Sequence, residues 1–205
     1  MGTSSRLERS FLTVLENLRE LGADWAVLGG LAVAARTEPR FTRDIDLAVA
    51  VKSDEEAERL VHALVRSGYR IALDIEQTGA ARLATIRLVH SREPRVFIDL
   101  LFASSGIEPE IVRAAERLRV LGADVKVATV GHLIATKILS RDDSRRPRDT
   151  QDLAGLLRIA SPADIEETRE ALRLMEDRGF SRGRDLREEL AAACREMRSA
   201  PPGRT

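Results

Sequence analysis

Two aspartates one residue apart, Asp44-Ile45-Asp46, open an apolar run that continues through Leu47, Val49 and Val51. Strand side chains alternate between faces, so a strand here sets both carboxylates on one side and the aliphatic residues on the other. A third carboxylate, Asp99, stands inside a second apolar run, Val96-Phe97-Ile98-Asp99-Leu100-Leu101-Phe102. An unpaired carboxylate in such a run is costly, which makes a turn or cap role a poor account of Asp99. Three carboxylates that converge repel one another unless something positive lies between them. The chain therefore calls for two neighbouring strands with a cation at their carboxylates. An all-oxygen donor set suits Mg²⁺, in a two-metal arrangement, with Mn²⁺ as the alternative. Asp44, Asp46 and Asp99 are the candidate metal ligands.

Upstream, Gly29-Gly30 precedes a short Ala-rich stretch. A helix that starts after such a turn offers unpaired backbone N–H groups and the positive end of its dipole, and glycine lets a phosphate come close. Taken alone, a Gly-Gly pair is most simply a turn. Placed just before a strand carrying Asp-x-Asp, Gly29 and Gly30 become phosphate-binding candidates. In two-metal phosphoryl transfer Asp44 and Asp46 would bridge both ions and hold a nucleoside triphosphate, while Asp99 would hold the second ion and take the proton of an acceptor hydroxyl. Lys137 follows Leu133 and Ile134 by about one helical turn, so its stem runs along an apolar face and its amine can reach a triphosphate. Arg141 lies one turn further along that face. Arg148, Asp149 and Asp152 begin a later helix, where first-turn acids suit the dipole without a catalytic role.

At 205 residues the chain can bury a core of its own. Its 33 basic and 33 acidic residues cancel, which argues against a nonspecific nucleic-acid coat but leaves room for a local patch. The stretch from Lys137 to Arg148 is such a patch, with Arg145 and Arg146 set against Asp142 and Asp143. Cys194 is the sole cysteine, so no intrachain disulfide and no cysteine-based zinc site can form. No apolar run is long enough to cross a membrane, and the first residues carry charge where a signal peptide needs apolarity. These features point to the cytoplasm.

Leu7, Phe11, Val14, Leu15 and Leu18 recur at helical spacing up to Gly22, so the chain opens with an amphipathic helix. A strand over 25–28, the glycine turn, a helix over 31–36 and a loop over 37–43 lead to the strand of 44–51. Ser53-Asp54-Glu55-Glu56 matches a capping box for the next helix. Strands are predicted over 69–75, 81–89 and 95–102, the last two as a hairpin, followed by a helix over 107–118. A second hairpin turns at Gly122-Ala123-Asp124. Beyond Thr129 the pattern is helical throughout, with Pro147 in one first turn and Ser161 as an N-cap. The spacing of Leu172, Met175, Leu186, Leu190 and Met197 fits either packing on the core or dimerisation. The fold class is α/β (α+β): a small mixed sheet flanked by helices over 1–128, a helical subdomain over 129–198, and a disordered tail over 199–205.

Gly29-Gly30-Leu31-Ala32, Thr42-Arg43-Asp44-Ile45-Asp46-Leu47 and Ile98-Asp99-Leu100 together resemble the nucleotidyltransferase superfamily typified by DNA polymerase β. Lys137 and the later Arg148-Asp149-Thr150-Gln151-Asp152-Leu153 resemble its AbiEii/AbiGii toxin branch, found in type IV toxin–antitoxin and abortive-infection systems. The resemblance covers 25–155. It implies an enzyme that moves a nucleoside monophosphate from an NTP to an acceptor with release of pyrophosphate, the acceptor in some relatives being tRNA. It further implies Asp44, Asp46, Asp99, Lys137 and Asp149 as catalytic, and Gly29, Gly30, Arg43, Lys137 and Arg141 as nucleotide-binding. A cognate antitoxin is an implied partner. The alternatives are transfer to a small molecule, such as an aminoglycoside, or to a protein, and a nucleotide-binding regulatory module without turnover.

Overall fold

The computed structural model describes residues 5–77, 82–141 and 147–199. Arg145, Arg146, Asp142, Asp143 and the expected tail over 199–205 lie outside the described residues, except Ser199, which closes the last helix. The chain runs α1 (Arg6–Glu20), β1 (Asp24–Leu28), α2 (Gly29–Arg36), β2 (Asp44–Ala50), α3 (Asp54–Arg66), β3 (Tyr69–Gln77), β4 (Arg82–His90) and β5 (Glu93–Leu101). It continues through α4 (Glu108–Ala114), β6 (Glu116–Val120), β7 (Ala123–Val127), α5 (Val130–Ser140), α6 (Pro147–Ile159), α7 (Pro162–Asp177) and α8 (Leu186–Ser199). The strands form one seven-stranded mixed sheet in the order β3-β4-β5-β2-β1-β7-β6.

The two strands that carry the aspartates are neighbours. β2 pairs with β5 in parallel, Asp46 opposite Asp99 and Asp44 opposite Phe97. Ile45, Leu47 and Val49 point the other way and are fully buried, as are Ile98 and Leu100. Each such aliphatic side chain taken from water contributes about 1.5–3 kcal/mol. A register slip of one residue would turn the aspartates into that core, so the apolar face fixes the height at which the carboxylates meet.

Local chemistry accounts for the element boundaries. Ser5 and Glu8 form a reciprocal capping box that starts α1. At α3 the expected box is only half made: Ser53 accepts from the Glu56 N–H, but Glu56 reaches past it to the N–H of Lys52. The helix expected over 107–118 is cut short. Only Glu108–Ala114 is helical, because Ala115 is extended and Glu116-Arg117-Leu118-Arg119-Val120 alternates with period two to pair with β7. Gly29-Gly30 is likewise not a turn ahead of a helix but the first turn of α2 itself.

Helices α5 to α8 pack on one another, and α5 and α6 also reach α2. α5 meets α7 at Gly131, where a Cβ would stand 2.7 Å from the Asp164 carbonyl in the first turn of α7. Glycine is what lets Thr168 Oγ1 donate to the Gly131 carbonyl at 3.1 Å. Leu172, Met175, Leu186 and Leu190 are buried in this packing, which accounts for their spacing without a second copy of the chain. Among the described residues no helix is long and apolar enough to cross a membrane.

Candidate active site

A row of directly paired residues crosses four strands. Leu28 on β1 faces Asp46 on β2, Asp46 faces Asp99 on β5, and Asp99 faces Arg87 on β4. Directly opposed side chains on one face stand close enough to interact, and like charges there are unfavourable. The Asp99 carboxylate resolves its side of the conflict with a cation. Arg87 donates from Nε to Oδ1 at 2.7 Å and from Nη2 to Oδ2 at 2.6 Å, a two-pronged pair that leaves Asp99 only 8% exposed. The guanidinium also lies 5.1 Å from the centroid of the Phe97 ring, two residues before Asp99 on the same strand. Hydrogen bonding to Asp99 raises the Arg87 pKa further still.

Among the described residues, Asp46 has no such partner. Desolvation, then the Asp99 and Asp44 charges, push its carboxyl up to about 6, against the opposing pull of the Gly30 N–H and of the more distant Lys137. Gly29 is fitted to the same carboxylate. Its φ is +60°, and a Cβ there would lie 2.0 Å from Asp46 Oδ2. Only glycine meets both demands. α2 begins with no side-chain cap, and its first-turn N–H groups open beside Asp46.

The opposite wall is built on α5 and α6. Lys137 Nζ lies 2.6 Å from Asp149 Oδ1 and 2.8 Å from Asp152 Oδ2, and Arg40 Nη2 meets the same Asp152 oxygen at 2.7 Å. Ser140 Oγ donates to the second Asp149 oxygen at 3.2 Å. Asp149 and Asp152 sit three residues apart on α6 and so present one face to Lys137. The two walls enclose a cleft of about 690 Å³ lined by Gly29, Gly30, Asp44, Asp46, Asp99, Lys137 and Asp149, with Arg40, Thr42, Arg87, Arg148 and Arg182 at its sides.

Arg43 and Arg141 are not brought into this cleft. Arg43 ends the loop ahead of β2, and its guanidinium lies 5.4 Å from the Phe41 ring centroid. Arg141 follows the end of α5 and pairs with Glu196 on α8 at 3.4 Å. Two participants, Arg87 and Arg40, escape the sequence reading, and Asp152, read there as a structural first-turn acid, holds Lys137 and Arg40. Arg87 carried the signal that exposed Asp99, a charge interrupting an apolar strand between Ile86 and Leu88. The role of Asp152 was legible in its three-residue spacing to Asp149.

Among the described residues, no three carboxylate, imidazole or thiol groups stand together in a metal-binding arrangement. Both Asp99 oxygens are taken by Arg87. Asp44 and Asp46, hard oxygen donors one residue apart on β2, fit a hard divalent ion. Asp99 fits once Arg87 shares it.

A sheet that aligns two aspartates with a third on the adjacent parallel strand, next to a glycine-initiated helix, defines a nucleotidyltransferase. The family model "Nucleotidyl transferase AbiEii toxin, Type IV TA system" matches residues 12–202, and the chain belongs to that family. No curated protein matches the chain. Among solved structures, an antigenic nucleotidyltransferase-like protein from Paracoccidioides brasiliensis is similar over 92% of this chain and 94% of its own, at 23% identity and a TM-score of 0.52. The antibiotic-resistance factor ANT(2'')-Ia is similar over 96% of this chain and 94% of its own, at 17% identity and a TM-score of 0.51. At those identities the likeness is one of fold.

Proposed function

We propose that the chain transfers a nucleoside monophosphate from a Mg²⁺-bound NTP to a hydroxyl of an RNA acceptor of the tRNA class, acting as the toxin of a toxin–antitoxin pair. The observation that carries the reading is the paired row of Asp46 and Asp99 facing the start of α2, with no cation among the described residues paired to Asp46. Asp44 and Asp46 would hold the ion, which when bound screens the triphosphate and polarises the phosphorus under attack. The first-turn N–H groups of α2 receive phosphate oxygens, with Gly29 and Gly30 allowing close approach. The acceptor oxygen forms a bond to the α-phosphorus, the bond from that phosphorus to the bridging oxygen of the β-phosphate breaks, and pyrophosphate leaves. Asp99, whose two oxygens accept from Arg87, orients the acceptor hydroxyl and takes its proton as the bond to phosphorus forms. Lys137 faces the triphosphate from α5, held in place by Asp149 and Asp152.

Arg148 and Arg182 at the sides of the cleft supply positive charge for an RNA backbone. The zero net charge of the whole chain favours the second reading, a small-molecule or protein acceptor. Incubation with each α-labelled NTP, Mg²⁺ and total RNA, with Asp46→Ala as control, separates the two. Label in a tRNA-sized band that the variant loses is the expected result. Label confined to protein or to an added aminoglycoside would replace the RNA reading, and no label in any acceptor would remove it. Arrest of growth on expression, relieved by Asp46→Ala, tests the toxin role.

A further inference from the structure

A second cavity, of about 810 Å³, lies beyond the loop between α2 and β2. Arg40 and Thr42 of that loop line both cavities, so one short segment is a wall of each. The floor is aliphatic, formed by Leu7, Leu31, Ala34, Val96, Val120 and Leu121. Around it stand Arg6, Arg40, Arg43, Arg95 and Arg119, and among the described residues no acidic one lines the cavity. Five arginines at one opening, in a chain whose charges cancel, are a local excess of positive charge. Among the described residues, Arg40 is committed to Asp152 and Arg119 to Asp124, while no carboxylate pairs with Arg6, Arg43 or Arg95. Phe41 at the mouth is 68% exposed, the most exposed large apolar side chain described. An apolar body would cover what the molecule leaves in water here, and an anionic end would occupy guanidinium forks that have no carboxylate. The size is that of a small-molecule site.

We propose that this cavity binds a small anionic amphiphile: an aliphatic or aryl body that ends in a carboxylate, sulfonate or phosphate. The aliphatic floor selects against a nucleic-acid strand, whose bases seek aromatic platforms and would find only Phe41. The occupant touches the loop whose other side carries Arg40 to Asp152, so the site adjoins the catalytic cleft without belonging to it. The assignment does not depend on the metal or acceptor reading above.

The test uses 1-anilinonaphthalene-8-sulfonate as a fluorescent probe, its uncharged relative N-phenyl-1-naphthylamine, and dodecanoate and dodecyl phosphate as competitors. We expect saturable one-to-one binding of the sulfonate, at least tenfold weaker in Arg6→Ala/Arg95→Ala and at least tenfold weaker for the uncharged probe. Ala34→Trp, which fills the floor while keeping every arginine, should abolish the signal. Both variants are checked for native circular dichroism, and either one alone decides if the other fails to fold. Displacement by dodecanoate but not by dodecyl phosphate assigns a carboxylate ligand, and the reverse assigns a phosphate. Unchanged binding in a folded variant, or equal affinity for the uncharged probe, overturns the proposal. So does displacement by oligouridylate at concentrations where neither amphiphile acts.

Discussion

Arg87→Met removes the guanidinium but keeps an unbranched stem against Phe97, and so isolates the pair with Asp99. The structure bounds the cost. Removing one partner of a fully buried pair costs about 3–5 kcal/mol, and of a surface pair about 0–1 kcal/mol. Here the arginine side chain is 34% exposed and the aspartate side chain 12%. Solvent screening at the guanidinium end places the loss near ~2 kcal/mol for the metal-free protein. The same carboxylate is the third candidate metal ligand, so guanidinium and ion compete for it. If the ion recovers most of what the arginine held, Mn²⁺ affinity in the variant rises by roughly ten- to thirtyfold, a factor of ten being 1.4 kcal/mol. Urea melts without metal read the first number, and calorimetric titration with Mn²⁺ reads the second. Removing a positive charge from the cleft would raise metal affinity somewhat even if Asp99 never touched the ion. The titration is therefore repeated in an Asp99→Asn background, where the gain from Arg87→Met should vanish. A variant that loses stability yet binds Mn²⁺ no better, or a gain that persists when Asp99→Asn is also present, refutes the competition.

Gly29→Ala should cost about 1–2 kcal/mol for the left-handed backbone, and more because the new Cβ must displace Asp46. Thermal melts should show the loss, and MgATP titration a fall in affinity that Gly22→Ala, also at positive φ but in open space, does not produce. Asp152→Asn uncouples Lys137 and Arg40 at once, and transfer activity should fall by about tenfold or more while Asp164→Asn, in a solvated cap, leaves it unchanged. Metal-free Asp46 binds its proton more tightly folded, at about 6, than unfolded, near 3.8. Stability in EDTA therefore falls as pH rises through that window, by up to about 3 kcal/mol. Asp46→Asn should flatten that fall, stabilising the protein at about pH 7.5 and not below pH 4, and a slope unchanged in the variant would show that Asp46 is not its source.

What the sequence disclosed was whatever one strand or one helix could express by itself. Alternation in 44–51 and the charge within 96–102 gave two strands and their carboxylate face, because an apolar period of two has few other solutions. It could not say that the strands are neighbours or that Asp46 and Asp99 stand at one height. Both depend on β5 crossing back to pair with β2, a long-range choice made by the core. Arg87 was missed for the same reason: a basic residue in a strand is informative only once the strand opposite is known. The loss of 115–118 from the predicted helix is a tie between periods, decided when Leu118 and Val120 found partners on β7. The expectation for Arg141 failed differently. Helical spacing put it in line with Lys137, but the helix ends at Ser140, and one residue past the end its side chain leaves for α8.

The charges of the cleft are settled unevenly, and that unevenness locates the chemistry. Asp99 is answered by Arg87, and Asp149 and Asp152 are answered by Lys137 and Arg40. Among the described residues no cation answers Asp44 or Asp46, although Asp46 is the more desolvated and faces another carboxylate directly. Folding alone gains nothing from that arrangement, because an asparagine at position 46 would accept the same N–H from Gly30 without the repulsion. A cleft that keeps one carboxylate pair open beside three closed carboxylates holds free energy in reserve for a ligand carrying positive charge. Helix α2 opens at the same point for a ligand carrying negative charge. A metal–triphosphate complex brings both at once, so each half of the site gives the other its reason to stand where it does.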